Sequence, residues 1–380
     1  MGDGGGVTPL RPAGQIKVAV ARTCAAIGIT ALAERAASGS LVVLNYHRIL
    51  PEAVRRVSTS QPMILSAEIF DRQMAEVARR YTVLSLDQVL EHYRARRPFP
   101  LRAVHVTFDD GYADNFEHAL PILTRHSVPA TFFLATGPID ERYLLWWDEL
   151  GLALRALAGR GLGVLEPTLA ECPPRLRPVL EKIAAPPAAA SGAEAPGPPA
   201  APVGLIDQCT RVLNGVEEGL RRRTVAALIA LAAPHRPGPP PRLMMTWDEA
   251  RAMHRAGMSL GAHTVHHTYL DELDDETGYR EIGECAARIE REAGVRPRAF
   301  SYPAGRTTDR SRAWLERAGI ELALTTRGGR NRSHEDRFSL KRWDGGFLVV
   351  EDRFVPAYMR LELSGAMDRT LRHRWYGPGA

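Results

Sequence analysis

Residues 103–112 read Ala103-Val104-His105-Val106-Thr107-Phe108-Asp109-Asp110-Gly111-Tyr112. The first six are mainly apolar, the pattern of a short buried strand. Two adjacent carboxylates follow, and a glycine closes the run. Buried acids cost free energy unless something beside them needs charge. In α/β folds, the side chains just past the carboxyl end of a strand face the place where ligands bind. An Asp in this position also caps helices. The choice between the two readings rests on whether other strand ends supply partners.

The same arrangement recurs on both sides. Leu41–Tyr46 reads as a buried strand that ends in His47-Arg48. Further strands are expected at Val83–Leu86, Ala130–Leu134, Met258–Ala262, Arg298–Tyr302 and Leu322–Thr326. Helical patterns fall between them: Ser66 caps one to about Arg80, Asp87 one to about Arg96, and Thr246 one to His254. Others cover Asn115–His126, with Pro121 inside, Asp274–Ala293 and Asp309–Ala318. Short apolar strands alternating with helices are parallel βα units.

The pattern changes at about residues 150–242. Helical stretches near Trp147–Leu157 and Arg221–Leu231 flank a run of Ala, Pro, Gly and Ser at 184–203. We expect a helical insertion with a flexible middle there. The predicted organisation is an N-terminal helical segment over 1–40 with a disordered start, a barrel over 41–346 that carries the insertion, and a C-terminal extension over 347–380.

The chain has 380 residues, 45% of them hydrophobic, enough for a substantial core. The formal net charge is +5. Its basic residues are spread along the chain, without a dense run and without interleaved aromatics, which speaks against a nucleic-acid partner. The four cysteines, Cys24, Cys172, Cys209 and Cys285, are widely spaced and fit reduced thiols in a cytoplasm. No run of residues is long and apolar enough to span a bilayer. Near the start, Ile16, Val20, Ile27 and Ala31 fall at helical spacing beside Arg11, Lys17 and Arg22. We read an amphipathic helix that packs on the body or makes peripheral membrane contact. The alternative is an export signal formed by those cations and the apolar run Cys24–Ala33.

His263-Thr264-Val265-His266-His267 ends the strand at Met258–Ala262. Two His four apart face the same way if the chain turns helically, which suits two ligands on one metal. A carboxylate from another strand end, Asp109 or Asp110, completes a three-ligand site with open positions. The other acid then stays free as a general base. A chance surface cluster of His is the plain alternative, and the double Asp at a matching strand end weighs against it.

Thr107-Phe108-Asp109-Asp110-Gly111 resembles the first motif of the polysaccharide deacetylases of the NodB type, carbohydrate esterase family 4. His263-Thr264-Val265-His266-His267 resembles their second motif, and Phe300-Ser301-Tyr302-Pro303-Ala304-Gly305 the third. Leu44–Ile49 and Trp146–Leu150 resemble stretches of one bacterial branch. The resemblance covers roughly Leu41 to Asp344, with the insertion least matched, and the order of the motifs makes it specific. It implies an α/β fold, a distorted (β/α) barrel of about seven parallel strands with a helical insertion. It implies a divalent metal, zinc foremost, held by Asp110, His263 and His267. Asp109 would be the base that takes a proton from a metal-bound water attacking an amide carbonyl, with the metal as Lewis acid. Tyr302, Pro303 and Ala304 would line the substrate, the Ala304 N–H facing the oxyanion.

The chain departs from the family at the proton donor. The later Asp-x-x-Asp-Trp motif has no counterpart, and Leu322-Ala323-Leu324-Thr325 replaces the Leu-x-His motif. His47, at the end of the first strand, is the first candidate acid, with a structural histidine as the plain reading; His266 and Asp148 follow. Tyr46, Trp146 and Trp147 offer rings for a sugar or for the core. Arg342 offers a cation for an anionic substrate or for Asp109. Trp147, Asp148 and Arg342 join the substrate-binding candidates.

The expected function is a metal-dependent hydrolase that removes an N-acetyl group from an amino-sugar unit of a glycan or lipid-linked saccharide. The expected location is cytoplasmic and membrane-associated, with export as the alternative. Hydrolysis of another non-peptide C–N bond, or a catalytically inactive carbohydrate-binding protein, are the competing functions.

Overall fold

In the computed structural model, which describes residues 9–165, 172–185, 203–236 and 238–366, the run Ala103–Phe108 is a strand buried at every residue. It lies inside a nine-stranded sheet. In chain order the strands are β1 (Ser40–Tyr46), β2 (Thr82–Val83), β3 (Ala103–Phe108), β4 (Ala130–Leu134), β5 (Ser259–Ala262), β6 (Ala299–Ser301), β7 (Leu322–Leu324), β8 (Arg330–Arg332) and β9 (Trp343–Asp344). The spatial order is β8-β1-β3-β4-β5-β6-β7, with β9 also on β1 and β2 also on β3. All pairings are parallel except β1 with β8. Parallel strands covered on both faces read as continuous apolar runs, which is why 41–46 and 130–134 are legible without alternation.

The sheet is curled, and one short stretch joins its ends. Leu340 bridges to Leu324 of β7, and three residues on, β9 pairs with Leu44 and Asn45 of β1. β8 and β9 lack the apolar length of a sequence-legible strand; the register of neighbours makes them strands. The expected barrel of about seven parallel strands is present as this curled, mostly parallel sheet with helices.

The pairing registers align the carboxyl ends. Tyr46 lies opposite Phe108, Phe108 opposite Phe132, Leu134 opposite Ala262 and Ala262 opposite Phe300. Residues following these strands therefore share one rim. Within the sheet the polar groups are paired. His105 sets Nδ1 2.8 Å from the Leu84 carbonyl and Nε2 3.0 Å from Thr131 Oγ1. Burial pulls its pKa down to about 4, so it is a neutral structural histidine.

Local chemistry sets several boundaries differently from the sequence expectation. The helix Leu86–Arg94 is capped by Ser85, not Asp87, because Ser85 and Gln88 form a reciprocal capping box. Asn115–Ala119 is a π-helical turn that leads into Leu120–Arg125. Pro121 lacks an N–H, so the regular ladder cannot run through it. The N-terminal segment is two helices, Pro12–Ala26 and Ile29–Ala36, broken at Gly28, which sits at φ 83°. Gly14, Val18 and Ala21 are the buried side of the first, and Ala21 packs with Ala357 and Leu361 of the C-terminal helix Pro356–Ser364.

The chain divides into two compact units. The sheet and its helices form one, over Met1–Ile49, Leu65–Thr136 and Met245–Ala380. Leu50–Ile64 and Gly137–Met244 form the other. This second unit packs helices Trp146–Leu157, Arg177–Ala184, Val203–Asn214 and Glu218–Ala232 around Leu150, Leu154, Leu180, Ile206, Leu213 and Leu228. Gly151 lets the Thr59 side chain approach, since a Cβ there would meet Thr59 Oγ1 at 2.6 Å. The expected flexible run and disordered start fall mostly on residues outside those described.

Candidate functional site

Asp109 continues the β3 ladder, its N–H donating to the Tyr46 carbonyl at 3.0 Å. Asp110 leaves the ladder. Its φ of 76° is the left-handed region, uncommon for a side-chain-bearing residue, and Gly111 follows at φ 88°. This kink separates the two carboxylates, so that adjacent residues meet different partners.

Asp109 is buried and saturated. Arg342 Nη1 donates to Oδ1 at 2.8 Å, and Nη2 to Oδ2 at 2.7 Å. Ser301 Oγ donates to Oδ2 at 3.1 Å. Burial alone pushes the Asp109 carboxyl up; the Arg342 guanidinium, with His263 and His47, overrides this and holds it below the usual carboxylate range. Arg342 is itself buried. Its Nε–H donates to the Thr325 carbonyl at 2.8 Å, Nη1 also to Asn45 Oδ1 at 2.6 Å, and Nη2 also to Ser301 Oγ at 2.9 Å. All five guanidinium donors are engaged. The substrate-binding role considered for Arg342 is thus replaced by the pairing role: no N–H is left for an anionic substrate.

Asp110 is the opposite case. Its Oδ1 lies 3.3 Å from His263 Nε2 and 3.4 Å from His267 Nε2. Its Oδ2 is buried with no hydrogen-bond partner. The three side chains place their donor atoms within 4.8 Å of one another. Charge-assisted hydrogen bonds contract to about 2.7–2.9 Å. The longer spacing here is that of a tetrahedral edge, about 3.3–3.4 Å for ligand bonds of about 2.0–2.1 Å. An orphaned carboxylate oxygen, this spacing and the N,N,O donor set fit a divalent metal. Burial lowers the His267 pKa. At His263 burial also lowers it, but the Asp110 and Asp109 carboxylates raise it more, leaving it above its usual value.

His263 is oriented from behind. Its Nδ1 lies 2.6 Å from the Ser301 carbonyl and must donate there, which leaves Nε2 as the ligating nitrogen. The loop to His267 is held by Glu281, from the helix Asp275–Ala293. Glu281 Oε2 accepts the N–H groups of Val265 and His266, both at 2.9 Å, and Oε1 meets His266 Nδ1 at 2.6 Å. Thr264 and His267 on either side are in the left-handed region, at φ 64° and 55°. A β-branched residue pays for that conformation, and the carboxylate clamp between the two offsets it.

The other sequence candidates divide. His47 is half-buried on the same rim, and its charge bears on Asp109, Asp110 and Asp344. Asn115 Nδ2 donates to its carbonyl at 2.7 Å. His266 is exposed and tied to Glu281. Tyr302 is turned into the body: its hydroxyl donates to the Phe338 carbonyl at 3.1 Å and its N–H to the Leu324 carbonyl at 3.0 Å. Its side chain is therefore a packing group, which corrects the substrate-lining expectation. Pro303 is buried, whereas Ala304 is exposed, at φ 53°. Tyr46 is core, stacked on Phe108 at 5.4 Å with its hydroxyl on Gln73. Trp147 and Asp148 belong to the helix Trp146–Leu157 of the second unit and are 5% and 2% exposed. Neither presents a ring face or a carboxylate to solvent, against the expectation that they bind substrate.

Sequence reasoning passed over Ser301, Asn45 and Glu281. Ser301 and Asn45 stand inside the motifs quoted for other residues, one place before Tyr302 and two before His47. Glu281 carries no local signal; it is one of several acids on a charged helix.

The model of the polysaccharide deacetylase family matches residues 96–162 and 218–323. The poly-β-1,6-N-acetyl-D-glucosamine N-deacetylase of Staphylococcus aureus (strain MSSA476) is 32% identical over 111 residues, 27% of this chain and 38% of that protein. The chain thus spans well under half the length of that relative. Among solved structures, the deacetylase PplD of Streptococcus pyogenes in complex with acetate aligns with a TM-score of 0.49 at 17% identity, over 80% of this chain and 92% of that one. IcaB from Ammonifex degensii aligns with a TM-score of 0.49 at 18% identity, over 86% of this chain and 97% of the other.

Proposed function

The chain carries a polysaccharide deacetylase domain and belongs to that family, and from this premise we propose that it hydrolyses the N-acetyl group of an amino-sugar unit in a glycan or lipid-linked saccharide. One observation carries the reading. A three-donor cluster with an orphaned oxygen, Asp110, His263 and His267, stands beside a second carboxylate that is ionised and kept for Arg342 and Ser301.

Asp110, His263 and His267 would hold the metal, with zinc the first choice for two imidazoles and one carboxylate. When bound, it supplies Lewis acidity toward the acyl carbonyl and a water of lowered pKa. The remaining chemistry falls to the chain. Asp109 Oδ2 already accepts two hydrogen bonds, from Arg342 and Ser301. Oδ1 accepts one, so it keeps a lone pair and is the atom that takes the proton from the attacking water. Arg342 keeps that carboxylate ionised and fixes its plane. The N–H of Ala304, an exposed residue, would face the developing oxyanion. As the C–N bond breaks, the acyl carbon leaves as acetate with the water oxygen, and the sugar nitrogen takes a proton from His47.

The test is acetate release from acetylated amino-sugar oligomers by metal-loaded protein. Asp109→Asn is expected to lower kcat by about 10²–10⁴-fold with metal content unchanged. Equal activity of the two proteins would remove Asp109 from the base role. Metal binding without hydrolysis by either would favour a carbohydrate-binding protein.

A further inference from the structure

Large hydrophobic side chains at the surface are concentrated in one place. Of the nine exposed among the described residues, five lie in the N-terminal helix pair: Ile16, Val20, Ile27, Ile29 and Leu32, with Leu32 at 69%. The rest are scattered as Val54, Val57, Leu101 and Phe347. Single exposed aliphatics are ordinary, but a cluster of five is not.

The first helix is apolar on two opposite sides. Gly14, Val18, Ala21 and Ala25 recur at i, i+4, i+7 and i+11 on the inner side, where Ala21 and Ala25 pack with the C-terminal helix and Gly14 lies against Val350 and Glu351. Ile16, Val20, Thr23 and Ile27 repeat the same spacing two residues later, about 200° around the helix. The inner side has a partner. The outer side carries the larger aliphatics and none of the buried residues.

Charge completes the pattern. Between residues 9 and 37 the basic residues are Arg11, Lys17, Arg22 and Arg35, and the single acid is Glu34. Glu34 is buried and points inward, its carboxylate accepting from Arg102 at 2.7 Å. Arg11, Arg22 and Arg35 are exposed. The outer side of the first helix is thus aliphatic, and the exposed charge of the helix pair is entirely positive, a composition that suits an anionic lipid surface.

We propose that Pro12–Ala26 and Ile29–Ala36 form a membrane-surface anchor, laying Ile16, Val20, Ile27, Ile29 and Leu32 into the headgroup region of an anionic bilayer. The helices lie on the membrane and do not cross it. At 15 and 8 residues they are about 22 and 12 Å long, each shorter than the hydrocarbon core of about 30 Å. They are bent by 73° at their junction. Both helices offer exposed aliphatics to such a surface, and the exposed arginines add attraction for its phosphates. This proposal stands apart from the hydrolytic reading, since none of these residues belongs to the metal site.

The full chain should sediment with vesicles of phosphatidylcholine containing phosphatidylglycerol, more weakly at high salt, and less with phosphatidylcholine alone. The double variant Ile16→Asp/Ile27→Asp should weaken this binding by about tenfold or more. Leu101→Asp, a substitution of an exposed leucine elsewhere, should leave it unchanged. Both variants should keep the wild-type circular dichroism and thermal midpoint, because the side chains are exposed. The proposal is overturned if wild type binds neither vesicle, or if Ile16→Asp/Ile27→Asp binds as wild type does. It is equally overturned if light scattering shows a wild-type dimer that this variant converts to a monomer without any vesicle binding, because a second copy would then cover the face.

Discussion

The two strand ends that meet in the site are held in place by different means. At the end of β3, Asp109 is fixed by charge brought from far along the chain: Arg342 lies 233 residues away and Ser301 192. At the end of β5, the loop His263–His267 is fixed by Glu281, 15 residues from His266, through hydrogen bonds to the backbone between two left-handed residues. On the proposed reading, one end sets the protonation of the base and the other sets the position of a metal ligand. Damage at the first should therefore appear in pH dependence and stability, and damage at the second in metal affinity.

The strongest challenge to this division is Asp110, where both ends meet. Asp110→Ala removes a proposed ligand outright, and its loss of metal affinity should exceed the roughly 100-fold of a supporting residue, read by chelator competition. Retained affinity would break the comparison at its centre.

Arg342→Ala tests the charge-held end. It leaves Asp109 buried and unpaired, which should cost about 3–5 kcal/mol of stability in denaturant unfolding. The sign of the pH effect follows from the depressed Asp109 pKa. In the native protein the ionised form, with the stability it confers, is present above the ordinary carboxylate value and is lost as pH falls through the lower folded value. Without Arg342, burial acts with less opposition and the pKa rises. The acid limb of the pH–rate profile should then move to higher pH, while metal affinity changes little.

Glu281→Gln tests the geometry-held end. It keeps the shape but one oxygen becomes an amide NH₂ that cannot accept both backbone N–H groups. Metal affinity should fall by about 10–100-fold, with the acid limb where it was. A shifted acid limb and an unchanged affinity would reverse the assignment. Smallest of all should be Ser301→Ala, which deletes one hydrogen bond to Asp109 and one from Arg342 but leaves the Ser301 carbonyl on His263. We expect a loss of about 0.5–1.5 kcal/mol in stability.

Much of the sheet was legible because parallel strands buried on both faces write themselves as apolar runs, and β1, β3 and β4 are such runs. That Asp110 is the third donor came with the family resemblance; a candidate metal site was legible as His263 and His267, four apart at one strand end, with Asp109 or Asp110 at another. β8 and β9 were not, since three- and two-residue strands have no period of their own. Tyr46 and Trp147 stood open between a sugar and the core because aromatic residues look alike in sequence whether they stack on a ligand or on a neighbour such as Phe108.

The sequence by itself therefore determined the parallel α/β architecture and the residues able to ligate a metal, because periodicity and local motif spacing carry that information. Tertiary structure supplied the physical ground for telling Asp109 from Asp110, a division that the family resemblance implied and the residue pattern itself left open. Chemically the two residues are identical. What separates them is a left-handed turn at Asp110, φ 76°, and the arrival of Arg342 on the segment that joins β7 to β1. Contacts spanning 233 residues have no signature in local pattern, and burial, which makes such a charge pair strong, exists only once the chain has folded.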